Sequence, residues 1–449
     1  MSPALERTLP KMSDAKDVMR LAWPVMVSRL STMVMLTADT LFLAKLGTAP
    51  LAAMGVALPA SFVPIAAATG AVGGLRALVA SSVGARDDAR VKLLGWQAIW
   101  IGLGLGTLAA ILGLFAEPIF DVVGGGTNAA ELAADYFRVR MFGGPVELLF
   151  IALAGWFQGK GETRTPMLAA LIANGLNIPL DAMFIFGFGP IPAMGVAGAA
   201  WGSVFALTVG LGLLLWRAKE LFEEPRGPDP ATLRAVLSIG GPMSLQEGLD
   251  VLSWSLFTMA LARLGDSAMA AHVIVIRIAS LSFLPGRAIG DATSVLMGQH
   301  IGARTPRAAV RSLRAGVGLT LLIMLTLGTT FVVMPGPFLA LFSPTAEVDL
   351  IARQLFWVAA VLLVFDAFAM PGLSALQGVG DTRFTLFAVL APCWLVKLPL
   401  GFALAHTAGL GAMGAWIGLT AEVVTIAILA MWRLQSGAWL RSARRLAAA

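Results

Sequence analysis

Residues 167–189 read MLAALIANGLNIPLDAMFIFGFG. A helix needs about 20 apolar residues to cross the roughly 30 Å hydrocarbon core, so this run is long enough to span a membrane. One carboxylate, Asp181, lies inside it, and Asn177 precedes it by four residues on the same helical face. Eleven further apolar segments surround it, at approximately 17–43, 50–80, 93–115, 136–158, 193–217, 233–262, 270–298, 312–333, 352–377, 384–404 and 410–433. All are long and poor in turn residues, which fits helices and not barrel strands of about ten residues.

Composition agrees. Of 449 residues 58% are hydrophobic and only 13% charged, against about 45–50% and about 25% in a soluble domain. A soluble enzyme is excluded. The 49 Gly and 24 Pro are dispersed through the apolar runs, where transmembrane helices tolerate them. Cys393 is the one cysteine, so no disulfide and no multi-thiolate metal cluster forms within the chain, and His272, His300 and His406 lie far apart. HExxH, CxxC, EF-hand and Walker A patterns are absent, which leaves no basis for metal-dependent hydrolysis or for ATP hydrolysis by the chain itself. No cleaved signal peptide is read at the N-terminus.

Basic residues set the orientation, because cytoplasmic loops retain them. Arg7, Lys11, Lys16 and Arg20 precede the first span, and Arg86, Arg90 and Lys92 follow the second. Lys160 and Arg164, then Arg217, Lys219, Arg226 and Arg234, continue the series. Arg304, Arg307, Arg311, Arg314, Arg383, Arg433, Arg441, Arg444 and Arg445 complete it. These are 22 of the 32 Lys and Arg, all on one side, so both termini are expected in the cytoplasm of a multi-pass inner-membrane protein. The same bias accounts for the net charge of +6 as a basic face against anionic lipid, with no need of nucleic acid.

The chain repeats itself. Pro24 aligns with Pro242, Leu46-Gly47 with Leu264-Gly265, and Gly84-Ala85-Arg86 with Gly302-Ala303-Arg304, all at a spacing of 218. Gln158 to Arg164 matches Gln377 to Arg383 at 219, and Gly195-Val196-Ala197-Gly198 matches Gly411-Ala412-Met413-Gly414. Six spans per copy makes the repeats parallel. The expected architecture is an all-α membrane protein: twelve transmembrane helices in two six-helix lobes related by pseudo-twofold symmetry along the membrane normal. The lobes are residues 1–217 and 233–449, joined by a polar cytoplasmic linker at 218–232. Pro24 and Pro242 are the expected points of helix bending.

Four blocks in order resemble the multidrug and toxic compound extrusion (MATE) family, with DinF-like and NorM-like features. They are Ala22-Trp23-Pro24 with Asp39 and Leu46-Gly47; Val295 to Ala303; Phe365-Asp366 leading to Leu376 to Arg383; and Asn177 to Asp181 followed by Phe184 and Gly187. Both copies carry Gln (Gln158, Gln377) where the family often has Arg before the turn glycine. The resemblance implies a non-enzymatic secondary antiporter without cofactor. It would export small amphipathic, often cationic compounds in exchange for H+ or Na+ by alternating access. A monomer in the lipid bilayer is expected. A lipid-linked oligosaccharide flippase of related architecture is the alternative. A major facilitator is disfavoured by the loop Gly84 to Arg90, which lacks that family's motif.

Charges inside spans cost about 2.5–3.5 kcal/mol at the helix centre and usually face a partner or an aqueous cavity. Asp39 lies about 28 Å up the first helix from Arg20, and Asp181 about 22 Å up the fifth from Pro166, at 1.5 Å per residue. The two are expected to meet. With Asn177, and Ser203 as a hydroxyl donor, they form a candidate site for a proton or a hard cation such as Na+, and the resemblance places the first lobe's coupling site at these positions. Asp39 corresponds to Phe257 and Asp181 to Leu400, so the charges are not shared with the second copy. Asp250, Asp366 and Glu247 are the second-lobe candidates, with pairing to Lys397, Arg277 or Arg287 as the structural reading. Arg287 and Asp291 are spaced as a local pair, and Arg29, Arg76 and Glu147 have no partner assignable from sequence. The 20 Met, 24 Phe and 12 Trp suit an adaptable cavity for organic cations but single out no drug contact.

Overall fold

A computed structural model describes residues 9–124 and 127–448. Arg7, one of the expected cytoplasmic charges, lies outside them. Among the described residues the fold is helical, with a single isolated bridge between Phe188 and Ile191. The helices are α1 (Met12–Ala44), α2 (Thr48–Gly84), α3 (Asp88–Gly113), α4 (Ala116–Gly124), α5 (Asn128–Phe142), α6 (Gly144–Gly159), α7 (Arg164–Phe186) and α8 (Gly195–Arg217). After a short 3-10 turn follow α9 (Pro230–Ala262), α10 (Asp266–Gly302), α11 (Pro306–Val333), α12 (Pro335–Ala340) and α13 (Ala346–Gly378). The last three are α14 (Thr382–Thr407), α15 (Gly411–Gln435) and α16 (Leu440–Ala448).

Ten of these helices are long and apolar enough to cross a membrane. The span expected at 136–158 is instead the pair α5 and α6, bent by 51°. Gly143 and Gly144 relax the helix there and Pro145 removes a backbone donor. Helix α9 is 33 residues long and is not one of the ten; Gln246, Glu247 and Asp250 lie in its middle. With the bent pair and α9, each of the twelve expected segments has its helix. Pro24 and Pro242 sit inside α1 and α9.

The chain packs as two compact units. One contains Met1–Trp23, Ala80–Arg86 and Leu245–Ala449; the other contains Pro24–Val79 and Asp87–Ser244. Helix α1 thus changes unit at Pro24 and α9 changes two residues past Pro242. In the first unit, α2 and α10 cross at two glycines. A Cβ on Gly84 would lie 1.9 Å from the Gln299 carbonyl oxygen, and one on Gly302 1.9 Å from that of Ser81. Only glycine permits that approach.

In the other unit the linker is strapped to α3. Trp96 Nε1 donates to the carbonyls of Leu221 (2.9 Å) and Glu224 (3.1 Å), and Trp100 Nε1 to Arg226 (3.0 Å). Gln97 Nε2 donates to Gly227 (3.2 Å), and its Oε1 accepts from Asp229 N (3.0 Å). Backbone polar groups of an irregular segment are thereby satisfied by side chains of a helix.

Candidate cation site

Three helices of one unit bring four of the expected residues together. Asp39 lies near the end of α1, Asn177 and Asp181 on one face of α7, and Ser203 on α8. All four are buried. The Asp39 and Asp181 carboxyl groups face each other within hydrogen-bonding reach. Asn177 Nδ2 donates to Asp181 Oδ1 at 3.0 Å and to Ser203 Oγ at 3.2 Å. That leaves Asp39 Oδ1, Asn177 Oδ1 and Asp181 Oδ2 buried without a hydrogen-bond donor. An unsatisfied buried acceptor costs about 1–3 kcal/mol, more when charged. Three such oxygens fit a proton or an oxygen-loving cation.

The helices meet here for identifiable reasons. Gly202 on α8 lets Asp181 approach: a Cβ on it would lie 2.0 Å from Asp181 Oδ1. One turn before Asn177, Asn174 Nδ2 ties α7 to α1 through Ser31 Oγ (2.7 Å) and Thr32 Oγ1 (3.1 Å). Near Pro24 the α1 backbone takes hydroxyl donors, Ser28 Oγ reaching the Pro24 carbonyl at 2.9 Å. A cavity of about 20 Å³, room for about one water, opens beside Asp39 between α1 and α2.

Across the bend between α5 and α6, Arg140 pairs with Glu147 at 2.7 Å. Glu147, without a partner from sequence, thus has one: the bend folds two residues seven apart onto each other. Arg140 and the buried Tyr136 belong to the electrostatic surroundings of Asp39 and Asp181. Neither was visible as part of the site, because the apolar run reads as one straight helix. Arg76 Nη1 reaches Gln158 Oε1 at 3.3 Å.

The second-copy candidates are distributed differently. Lys397 pairs with neither Asp250 nor Asp366 as its ion-pair partner; it pairs with Glu422 on α15, at 3.2 Å. Asp250 accepts instead from Cys393 Sγ at 3.9 Å. Asp366 is buried on α13, with Arg287 and Glu422 in its electrostatic surroundings. Glu247 is partly buried one turn before Asp250. Glu422 escaped the sequence reading although the signal, a carboxylate inside the apolar run 410–433, was the one used for Asp181. His272 accepts a hydrogen bond from Trp416 Nε1 at 3.2 Å in an aromatic core.

The family model described as MatE matches residues 24–183 and again 242–403, once in each copy. The chain is 30% identical over 433 residues to the probable multidrug resistance protein NorM of Burkholderia pseudomallei, covering 93% of this chain and 92% of that one. It is 29% identical to the multidrug resistance protein PmpM of Pseudomonas aeruginosa, over 99% of this chain and 95% of that one. A crystal structure of MATE in the bent conformation superposes with a TM-score of 0.88 at 23% identity, over 96% of this chain and 97% of that one. The two matches of one family model are the duplication read from the sequence.

Proposed function

Because this chain belongs to the MatE family, the multidrug and toxic compound extrusion transporters, we propose that it drives export through the Asp39–Asp181 pair. It is a multidrug efflux antiporter and not an enzyme, and its relatives do not favour the flippase alternative. The coupling ion, H+ or Na+, occupies the space among Asp39, Asn177 and Asp181, with Ser203 holding the Asn177 amide in place. The observation that carries this reading is the set of three buried oxygens with no donor. Substrates are small amphipathic organic compounds, often cationic.

An ion shifts an equilibrium only through its different affinity for the two states. Cation entry joins α1 to α7, and α1 bends at Pro24; Pro242 is the corresponding point in α9. The two copies, 1–217 and 233–449, act as the moving lobes about the linker at 218–232. In the second copy Asp250, Asp366 and Glu247 are the coupling candidates. The protein works as a monomer in the inner membrane, and its basic loops support both termini lying in the cytoplasm.

Proteoliposomes with proton and sodium gradients imposed separately test the reading, comparing wild type with Asp39→Asn. Gradient-driven export of an organic cation is expected from the wild type and lost in the variant. Full transport by Asp39→Asn would remove the coupling role of this pair.

A further inference from the structure

The second copy carries charges that the first does not, on the equivalent helices α9, α14 and α15. By the spacings of the repeat, Asp250 corresponds to Thr32, Cys393 to Asn174, Lys397 to Ile178 and Glu422 to Ala206. One contact is inherited: Asn174 Nδ2 bonds Thr32 Oγ1 at 3.1 Å, and Cys393 Sγ bonds Asp250 Oδ1 at 3.9 Å. The ammonium of Lys397 and the carboxylate of Glu422 are additions of this copy alone. Inheritance of a packing contact does not account for them.

The helix is reshaped where they occur. After Pro392, residues Cys393–Lys397 are π-helical, a rare distortion that gathers at functional sites. Cys393 and Lys397, at its two ends, are both buried. Lys397 Nζ lies 3.2 Å from Glu422 Oε1, with side-chain exposures of 1% and 6%. The same nitrogen is 5.7 Å from the centre of the Trp254 ring. Asp250, Cys393 and Glu422 offer atoms all within 4.8 Å of one another. Ser253, three residues after Asp250 on the same face of α9, is fully buried beside Cys393. Carboxylates with an indole face beside them are the recognition chemistry of an ammonium ion.

We propose that this cluster is an ammonium site filled by the chain's own Lys397, and that a small alkylammonium ion takes it when the lysine side chain is cut back. The second copy then holds a tethered cation where the first holds an exchangeable one; that contrast rests on the reading of Asp39 and Asp181 above, whereas the site itself does not.

Thermal melting of the purified full-length protein tests the site without any transport measurement, so its failure leaves the Asp39 reading standing. Lys397→Ala is expected to melt below wild type and to regain most of the loss, saturably, with methylammonium chloride. Sodium chloride at the same ionic strength has little effect. Adding Glu422→Gln abolishes the response. No saturable response in Lys397→Ala, or an equal response in the double variant, overturns the proposal. Should Lys397→Ala fail to fold, Lys397→Met is compared with Lys397→Met/Glu422→Gln. A cation site requires the double variant to recover stability lost in the single one. Further loss in the double variant overturns it.

Discussion

Gly202 on α8 and Asp181 on α7 are in such close contact that a Cβ on the glycine would stand 2.0 Å from Asp181 Oδ1. The oxygen it would strike is the one that accepts from Asn177 Nδ2. Gly202→Ala is therefore a probe of the site that changes no charge. Overpacking costs about 1–3 kcal/mol, so the protein is expected to fold with a lower melting temperature. Gradient-driven transport is expected to fall as far as in Asp181→Asn. Wild-type transport in Gly202→Ala would mean that the position of Asp181 does not matter for coupling.

The Arg140–Glu147 pair bridges the bend of α5 and α6, with side-chain exposures of 16% and 12%. Removing one member of a buried pair leaves the other uncompensated and costs about 3–5 kcal/mol; the low end applies here because both side chains reach some solvent. Arg140→Gln and Glu147→Gln are each expected to lower the melting temperature, and the double variant to recover part of the loss. A double-mutant cycle measures the coupling. Additive losses would show that the two side chains act independently.

Much of this fold is legible in the chain because its solvent is lipid. Apolar length alone locates the helices, and the paired blocks around Gly84 and Gly302 reveal the duplication. Legibility stops where tertiary contact decides. The run 136–158 has the composition of one straight span, and only the Gly143-Gly144-Pro145 break makes it two. Asp39 and Asp181 stand out as charges in apolar surroundings, and their depths along the helices suffice to bring them together. Gly202 carries no such signal, because a glycine inside a membrane helix is common and its purpose lies in its neighbour on α7. Lys397 and Glu422 illustrate the opposite failure: each is conspicuous alone, but their pairing at 3.2 Å across α14 and α15 has no pattern in the sequence.

The linker between the copies is fastened to α3, and Asp229, the residue just before α9, is acid-sensitive. Asp229 accepts from Thr232 N at 3.0 Å and from the Thr232 hydroxyl. These bonds hold its carboxyl below the usual carboxylate range. A group whose folded value is depressed stabilises above its unfolded value, about 3.9 for Asp, and loses that contribution as pH falls through the lower folded value. The start of α9 is therefore expected to stay capped at neutral pH and to loosen only in strong acid. Gln97→Ala removes two linker bonds at any pH. Limited proteolysis between residues 222 and 229 should run faster in Gln97→Ala than in wild type at pH 7. Equal rates would show that Gln97 does not restrain the linker.

The crossing of α2 and α10 is built twice from the same parts. Gly84 abuts the Gln299 carbonyl and Gly302 abuts the Ser81 carbonyl, each at 1.9 Å from a would-be Cβ, and both pairs are related by the spacing of 218. A transporter that alternates access must part some helix crossings on each cycle, and one with backbones this close is either fully made or broken. Gly84→Ala and Gly302→Ala should each disfavour the crossed state by about 1–3 kcal/mol, where about 1.4 kcal/mol is a tenfold change in population. Because the two contacts are equivalent, the two variants should behave alike. Ser81 is buried at the crossing, and the native thiol Cys393 is buried elsewhere. In a Cys393→Ser background, a cysteine at position 81 should react with a water-soluble maleimide slowly in the parent and about tenfold faster in either glycine variant. Unchanged labelling in both variants would mean that this crossing does not open. A response in one variant alone would mean that the two copies do not share its control.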